Sequence, residues 1–127
     1  MSLLTGDSLA VGISAFLHVP VDARVGRTSR QGLVHIQHSD ASVLYVSLGA
    51  NDPDDPTPFR RRVRLALQGR RCVAWVQVPR RPRLNRVLAT TKGVRVVRLT
   101  GIHRGDGVHP DGAGYRLLAK RLRRTCP

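Results

Sequence analysis

Residues 1–10, MSLLTGDSLA, join one apolar segment to another through Gly6, Asp7 and Ser8. This pattern predicts a short strand that turns sharply at Gly6 and continues as a helix to about Leu17. Such a turn lies at the carboxyl edge of the sheet, where open α/β sheets bind ligands. The Ser8 hydroxyl would be exposed there, with its own N–H at a helix N-terminus that favours negative charge. Ser8 is therefore a candidate nucleophile, and an ordinary Asp/Ser helix cap is the alternative.

Strand and helix patterns then alternate along the rest of the chain. Further strands are predicted at residues 19–25, 42–48, 72–78 and 94–97. The nearly continuous apolar run 42–48 is typical of a central parallel strand that is buried on both faces. Helices are predicted after the caps at 27–29, from Thr57 and Pro58, around Asn85, and after Asp111.

This alternation indicates the α/β class. We expect a three-layer α/β/α sandwich with a five-stranded parallel sheet in the flavodoxin-like strand order. The 127 residues are predicted to form a single domain, residues 1–127, without internal repeats or linkers.

The charge is strongly positive, with 22 basic residues against 8 acidic ones and a net charge of +14. Nucleic acid binding and attraction to an anionic polymer or surface are two functional interpretations. A compositional bias towards arginine, with the charges on solvated faces, is the third. Aromatic residues make up only 4% and no nucleic-acid-binding motif is present, so no specific nucleic acid partner is expected.

The two cysteines do not indicate a metal site, and neither implies a disulfide framework. Cys72 lies in an apolar run and is expected to pack as a small core residue, and Cys126 is the penultimate residue. No apolar run approaches the roughly 20 residues that cross a bilayer. The N-terminus does not resemble a signal peptide, so the cytoplasm is the default expectation, with export of a trimmed chain left open.

Candidate site residues follow four of the five predicted strands. Ser8 follows the first strand, Gly26 the second and Asn51 the third, and Asp106 and His109 follow the fifth. The carboxyl ends of parallel strands meet at one edge of a sheet, so these segments should converge there. A hydroxyl, a glycine, a side-chain amide, a carboxylate and an imidazole are the components of a serine hydrolase.

The chain resembles the SGNH hydrolases, also called the GDSL esterase/lipase family. Four motifs carry the resemblance, in the family's order and across nearly the whole chain. They are Leu4-Thr5-Gly6-Asp7-Ser8-Leu9, Gly26 within Arg24-Val25-Gly26-Arg27-Thr28, Gly49-Ala50-Asn51-Asp52, and Asp106-Gly107-Val108-His109-Pro110. Members of the family are commonly longer, so this chain has short loops and little room for a lid or a specificity domain.

The resemblance implies a role for each motif residue. Ser8 would be the nucleophile, His109 the general base and then acid, and Asp106 the group that orients the imidazole. The N–H groups of Ser8 and Gly26 and the side-chain amide of Asn51 would form the oxyanion hole. No metal or cofactor is expected.

Other polar residues have plainer interpretations. His103 is predicted to be a surface imidazole, and His18, His35 and His38 are predicted to be structural or solvated. Acidic residues after the third strand, Asp52, Asp54 and Asp55, hint at a cation site, but turn formation explains them better. Residues 106–112 lack the spacing and closing Glu of a calcium loop.

We therefore expect a serine esterase that acts on small acyl esters, acetyl esters first, carried on a carbohydrate or cell-wall polymer. An anionic polymer is a plausible carrier for the substrate because of the positive charge. The alternatives are a lipase or thioesterase of the same fold, and a non-catalytic protein that binds polyanions or nucleic acid on this scaffold.

Overall fold

The computed structural model describes residues 1–127 as five strands and five helices in strict alternation. The strands are β1 (Ser2–Gly6), β2 (Val21–Ala23), β3 (Val43–Ser47), β4 (Cys72–Val76) and β5 (Val94–Val97). The helices are α1 (Ser8–Ser14), α2 (Ser29–Gln37), α3 (Pro56–Leu67), α4 (Pro82–Thr90) and α5 (Gly112–Thr125).

All strands pair in parallel, in the order β2-β1-β3-β4-β5. This is the flavodoxin-like order, so the predicted fold class is confirmed. The register joins Gly6 to Ser47 and to Ala23, which brings the ends of β1, β2 and β3 to one edge. The loops that follow these strands therefore lie side by side.

Two apolar cores fill the space between the sheet and its two helical layers. Successive residues of a strand point to opposite faces, so β3 contributes Tyr45 to one core and Leu44 and Val46 to the other. The first core packs the sheet against α1 and α5, and the second packs it against α2, α3 and α4. Every residue of β3 and β4 is buried, as expected for central strands that are covered on both faces.

Several element boundaries differ from the sequence prediction. Helix α1 ends at Ser14 rather than near Leu17, and α3 begins earlier because Asp55, not Thr57, is its N-cap. Helix α4 begins at Pro82, and Asn85 lies inside it. The Asn85 side chain instead accepts from the N–H of Val78 at 2.7 Å and donates to its carbonyl at 2.8 Å. These bonds satisfy the backbone N–H and carbonyl of Val78, just beyond the end of β4.

A disulfide joins Cys72, the first residue of β4, to Cys126 after α5. The two cysteines were not expected to indicate a disulfide, so this bridge corrects the sequence interpretation. Cys72 is buried in the core as predicted, but α5 returns antiparallel to the strands and brings the end of the chain to the same place. Spacing along the sequence carries no sign of this pairing, because 54 residues separate the two cysteines.

None of the five helices combines the length and the apolar character that a membrane span requires.

Candidate active site

Ser8 lies at the carboxyl edge of the sheet because β1 ends at Gly6 and α1 begins two residues later. A side chain at position 6 would collide with the carbonyl oxygen of Ser47 at the end of β3, so this position requires glycine. Asp7 is the N-cap of α1 and accepts from the N–H of Leu9 at 3.1 Å. Ser8 is thus the first residue of the helix, and its N–H has no acceptor inside the helix.

His109 meets Ser8 from the other end of the chain. Its Nε2 lies 2.8 Å from the Ser8 Oγ, and its Nδ1 lies 2.7 Å from the Oδ2 of Asp106. A carboxylate can only accept hydrogen bonds, so in the neutral ring Nδ1 carries the proton and Nε2 accepts from the Ser8 hydroxyl. The arrangement places a base within proton-transfer reach of a hydroxyl.

The loop that carries Asp106 and His109 is closed at its base by an antiparallel bridge between Arg104 and Pro110. Asp106 Oδ1 accepts from the N–H groups of Val108 at 2.8 Å and His109 at 2.6 Å. The bond from the His109 ring, followed by these two N–H groups, holds the pKa of Asp106 well below its ordinary value. The carboxyl group is therefore ionised at neutral pH and fixes both the tautomer and the direction of the imidazole.

Gly26 and Asn51 reach the same edge on neighbouring loops. The N–H of Arg24 donates to the carbonyl of Gly6 at 3.0 Å, which ties the Gly26 loop to the turn before Ser8. Gly26 has a φ of +82°, in the left-handed region that favours glycine, and its N–H has no acceptor within the protein. Asn51 Nδ2 donates to the carbonyl of Arg27 at 3.0 Å, and its second N–H stays available to a ligand.

A buried carboxylate fixes these two loops to each other. Asp52 accepts from the N–H of Ser29 at 2.8 Å and from the Ser29 hydroxyl, and its Oδ2 lies 3.7 Å from Nη1 of Arg62. Because Ser29 begins α2, this contact links the turn after β3 to the loop after β2. The neighbouring acids are structural as predicted: Asp54 accepts from the N–H groups that begin α4, and Asp55 caps α3.

Sequence reasoning assigned no role to the turn after β4, yet this turn supports the site. Arg81 donates through Nε to the carbonyl of Asp52 at 2.6 Å and through Nη2 to that of Ala50 at 3.2 Å. Arg80 donates through Nη2 to the carbonyl of Asp106 at 2.7 Å. The rule that strand ends converge could have identified this turn, because β4 is the only strand whose following turn was left out.

The remaining histidines lie apart from this cluster. His35 Nδ1 is 2.8 Å from Asp22 Oδ2, and His38 Nδ1 is 2.8 Å from the carbonyl of Val34. His103 and His18 are exposed. The interpretation of these side chains as structural or solvated agrees with their positions.

The site is shallow. Five surface cavities are lined by residues other than Ser8, Asp106 and His109, and one of them lies at the opposite edge, beside Phe16 and Pro127. The side chains of Asp106 and His109 are 57% and 46% exposed, so a substrate can reach the hydroxyl without a lid having to move.

Asp7, next to the candidate nucleophile, is almost completely buried. Burial raises its pKa to about 6, against the opposing hydrogen bonds from the Leu9 N–H and the Ser47 hydroxyl. The folded state therefore binds this proton more tightly than the unfolded chain does. As the pH rises from below about 4 to above about 6 the free energy of unfolding should fall, by ~3 kcal/mol in all for this group alone.

Asp7→Asn is expected to abolish this part of the pH dependence, because the amide oxygen can accept the same two bonds without carrying a charge. Urea unfolding at about pH 4 and about pH 8 measures the difference for both proteins. An equal loss of stability in the variant and in the parent would contradict the prediction.

No protein-family model matches this chain, and no curated protein matches it in sequence. Solved structures do match. A candidate acylhydrolase from Bacteroides fragilis superposes with a TM-score of 0.72 at 16% identity, over 97% of this chain and 84% of that one. A GDSL-like lipase from Bacteroides thetaiotaomicron gives 0.74 at 19% identity, over 97% and 85%. The chain has a GDSL-type hydrolase fold. At this identity the likeness establishes the fold, and the chemistry depends on the site itself.

Proposed function

We propose that this protein is a serine esterase that hydrolyses small acyl esters, acetyl esters first, through an acyl-enzyme on Ser8. The observation that carries the proposal is the contact chain from Ser8 Oγ to His109 Nε2 and from His109 Nδ1 to Asp106 Oδ2, at 2.8 and 2.7 Å. The GDSL-type fold is consistent with it.

In the first half of the proposed reaction, His109 Nε2 takes the proton of Ser8 while Oγ attacks the ester carbonyl carbon. The carbonyl π electrons move to oxygen and form a tetrahedral oxyanion. The N–H groups of Ser8 and Gly26 and the free N–H of Asn51 are the available donors for that oxygen. The intermediate collapses, the bond to the alcohol breaks, and His109 gives its proton to the leaving oxygen.

In the second half, water replaces the alcohol. His109 removes a proton from the water as its oxygen attacks the acyl carbon, and the oxyanion forms at the same place. Collapse breaks the bond to Oγ, which recovers the proton from His109, and the carboxylic acid leaves. Asp106 stays ionised throughout and stabilises the imidazolium that exists between the two transfers.

A short acyl group is supported by the exposure of the Asp106 and His109 side chains and by the five surface cavities, which are lined by residues other than Ser8, Asp106 and His109. Activity on nitrophenyl esters is expected to be highest for acetyl and to fall as the acyl chain lengthens. A preference for chains of about eight carbons or more would contradict this and favour the lipase alternative. A polymer carrier, such as an acetylated carbohydrate or cell-wall polymer, fits an open site that long molecules can cross.

Labelling with a fluorophosphonate probe tests the enzyme class directly. The probe should modify the protein at Ser8, as seen by mass spectrometry of the labelled peptide, and Ser8→Ala should not be labelled. Ser14→Ala is a matched control in the same helix, where the hydroxyl only donates to the carbonyl of Val11. Labelling of the Ser8→Ala protein at another residue would refute the assignment.

The charge distribution keeps a second function open, namely binding of a polyanion without catalysis. Of the 22 basic residues, Arg27 and Arg62 alone lie in ion pairs with carboxylates. Absence of fluorophosphonate labelling, together with retention on DNA that is lost at high salt, would favour this function over the esterase.

A further inference from the structure

Arg80 is an exposed cation beside the candidate active site and has no carboxylate partner. Its Nη2 donates to the carbonyl of Asp106 at 2.7 Å, and this is its only side-chain hydrogen bond within the protein. A side chain at position 107 would collide with the guanidinium, so Gly107 lets the charged group lie directly against the loop. A guanidinium carries five N–H donors, and most of those of Arg80 remain free.

A second guanidinium reaches the same loop. Arg104 donates through Nη1 to the carbonyl of Gly107 at 3.0 Å, and its buried Nε has no partner. Two cations therefore bind successive carbonyl groups of the segment that carries His109. The one carboxylate of this loop, Asp106, is already engaged by the imidazole. Arg80 and Arg104 thus place two positive charges on this loop, against one carboxylate that the imidazole already engages.

The backbone of Arg80 is strained, and bracing the loop does not require this strain. Its φ of 60° makes it the only non-glycine residue in the left-handed region. A non-glycine residue in that region costs on the order of 1–3 kcal/mol, and such residues cluster at functional sites. Glycine would adopt the same backbone freely, and the neighbouring Arg81 already braces the turn of Asn51. An exposed arginine at such a strained position indicates that its positive charge has a function.

We propose that Arg80, with Arg104 behind it, forms an anion-binding subsite beside Ser8, and that the natural ester carries a negatively charged group near the scissile bond. The charged group is a carboxylate, a sulfate or a phosphate, since the planar fork of a guanidinium binds two oxygens of each. This inference rests on the proposed esterase function and deepens it by naming the substrate class.

Matched acetyl esters test the subsite. Meta-acetoxybenzoate and meta-acetoxybenzenesulfonate carry the anion, and meta-acetoxybenzamide is the neutral analogue with a similar phenolic leaving group. The protein is expected to show a higher kcat/KM for the anionic esters, by about tenfold, as for one charged hydrogen bond. Raising the salt concentration should reduce this preference. The two anionic esters distinguish a carboxylate from a sulfonyl-type site.

Arg80→Gln removes the charge, and the three esters separate this loss from that of the bracing contact, because a displaced loop would slow all three alike. The variant should lose about tenfold in the ratio of anionic to neutral kcat/KM. Arg124→Gln removes the same formal charge from the far end of α5 and should leave the ratio unchanged. If the glutamine variant does not fold, Arg80→Gly repeats the test with the positive φ relieved.

An equal loss of kcat/KM on all three esters in Arg80→Gln would show that Arg80 only braces the loop, and would overturn the subsite. A parent protein without preference for the anionic esters would overturn it as well. These results leave fluorophosphonate labelling of Ser8 intact. Failure of both labelling and turnover would overturn the esterase function, and the subsite with it.

Discussion

His109→Gln is expected to lower kcat for acetyl ester hydrolysis by on the order of 10⁴- to 10⁶-fold. A glutamine amide fits the space and can hydrogen-bond to Ser8, but it cannot take the hydroxyl proton. The nucleophile would then have to attack as a neutral alcohol. Initial rates at saturating substrate, with thermal unfolding measured alongside, check this result.

The fold should tolerate this change. The His109 side chain is half exposed and its ring hydrogen-bonds only to Ser8 and Asp106, so its replacement leaves no buried polar group unpaired. His103→Gln is the matched control, since it changes an exposed histidine that precedes the same loop. A loss of less than about tenfold at position 109, or an equal loss at position 103, would show that the contact with Ser8 is not used for proton transfer.

The layered fold was predictable because its signals are local. A buried parallel strand is an apolar run, and a surface helix carries an apolar stripe, so residues 42–48 and 115–122 each indicate their element without help from the rest of the chain. The boundaries were less predictable. The backbone of Val78, just after β4, bonds to the side chain of Asn85, seven residues further along the chain. Such a contact exists only once the turn has formed.

The candidate site followed from topology more than from individual residues. One rule, that parallel strands end at one edge, was sufficient to predict that Ser8 and His109 would lie together although 101 residues separate them. The rule predicts that the segments after the strands lie together, but it does not reveal which side chains hold those segments in position. Arginines are so numerous here that the bracing role of Arg81 has no distinguishing sign in the sequence. Only its contacts with the carbonyls of Ala50 and Asp52 reveal it.

The disulfide was missed for a related reason. Its two cysteines meet at the amino edge of the sheet, where β4 begins and α5 ends, and the strand-end rule concerns the opposite edge. Nothing in the spacing distinguishes a paired cysteine from a buried free one.

Removing this bridge with the double substitution Cys72→Ala and Cys126→Ala is expected to lower the free energy of unfolding by about 4 kcal/mol. The bridge spans 54 residues, and the stabilisation from restricting the unfolded chain grows with the length of the closed loop. The midpoint of urea unfolding measures it. A thiol reductant should lower the midpoint of the parent protein by a similar amount and should have no effect on the double variant.

The effect should be confined to stability. The end of α5 keeps other contacts, including the Tyr45 hydroxyl that donates to the carbonyl of Cys126 at 2.6 Å. Tyr45→Phe removes that bond alone and should cost only about 1 kcal/mol. Because the bridge lies at the edge opposite Ser8, the folded double variant should keep the kcat of the parent. Equal urea midpoints for the oxidised parent and the double variant would mean that the bridge contributes nothing to stability. Without a reductant the parent protein should keep the higher midpoint, because the bridge constrains only the oxidised chain.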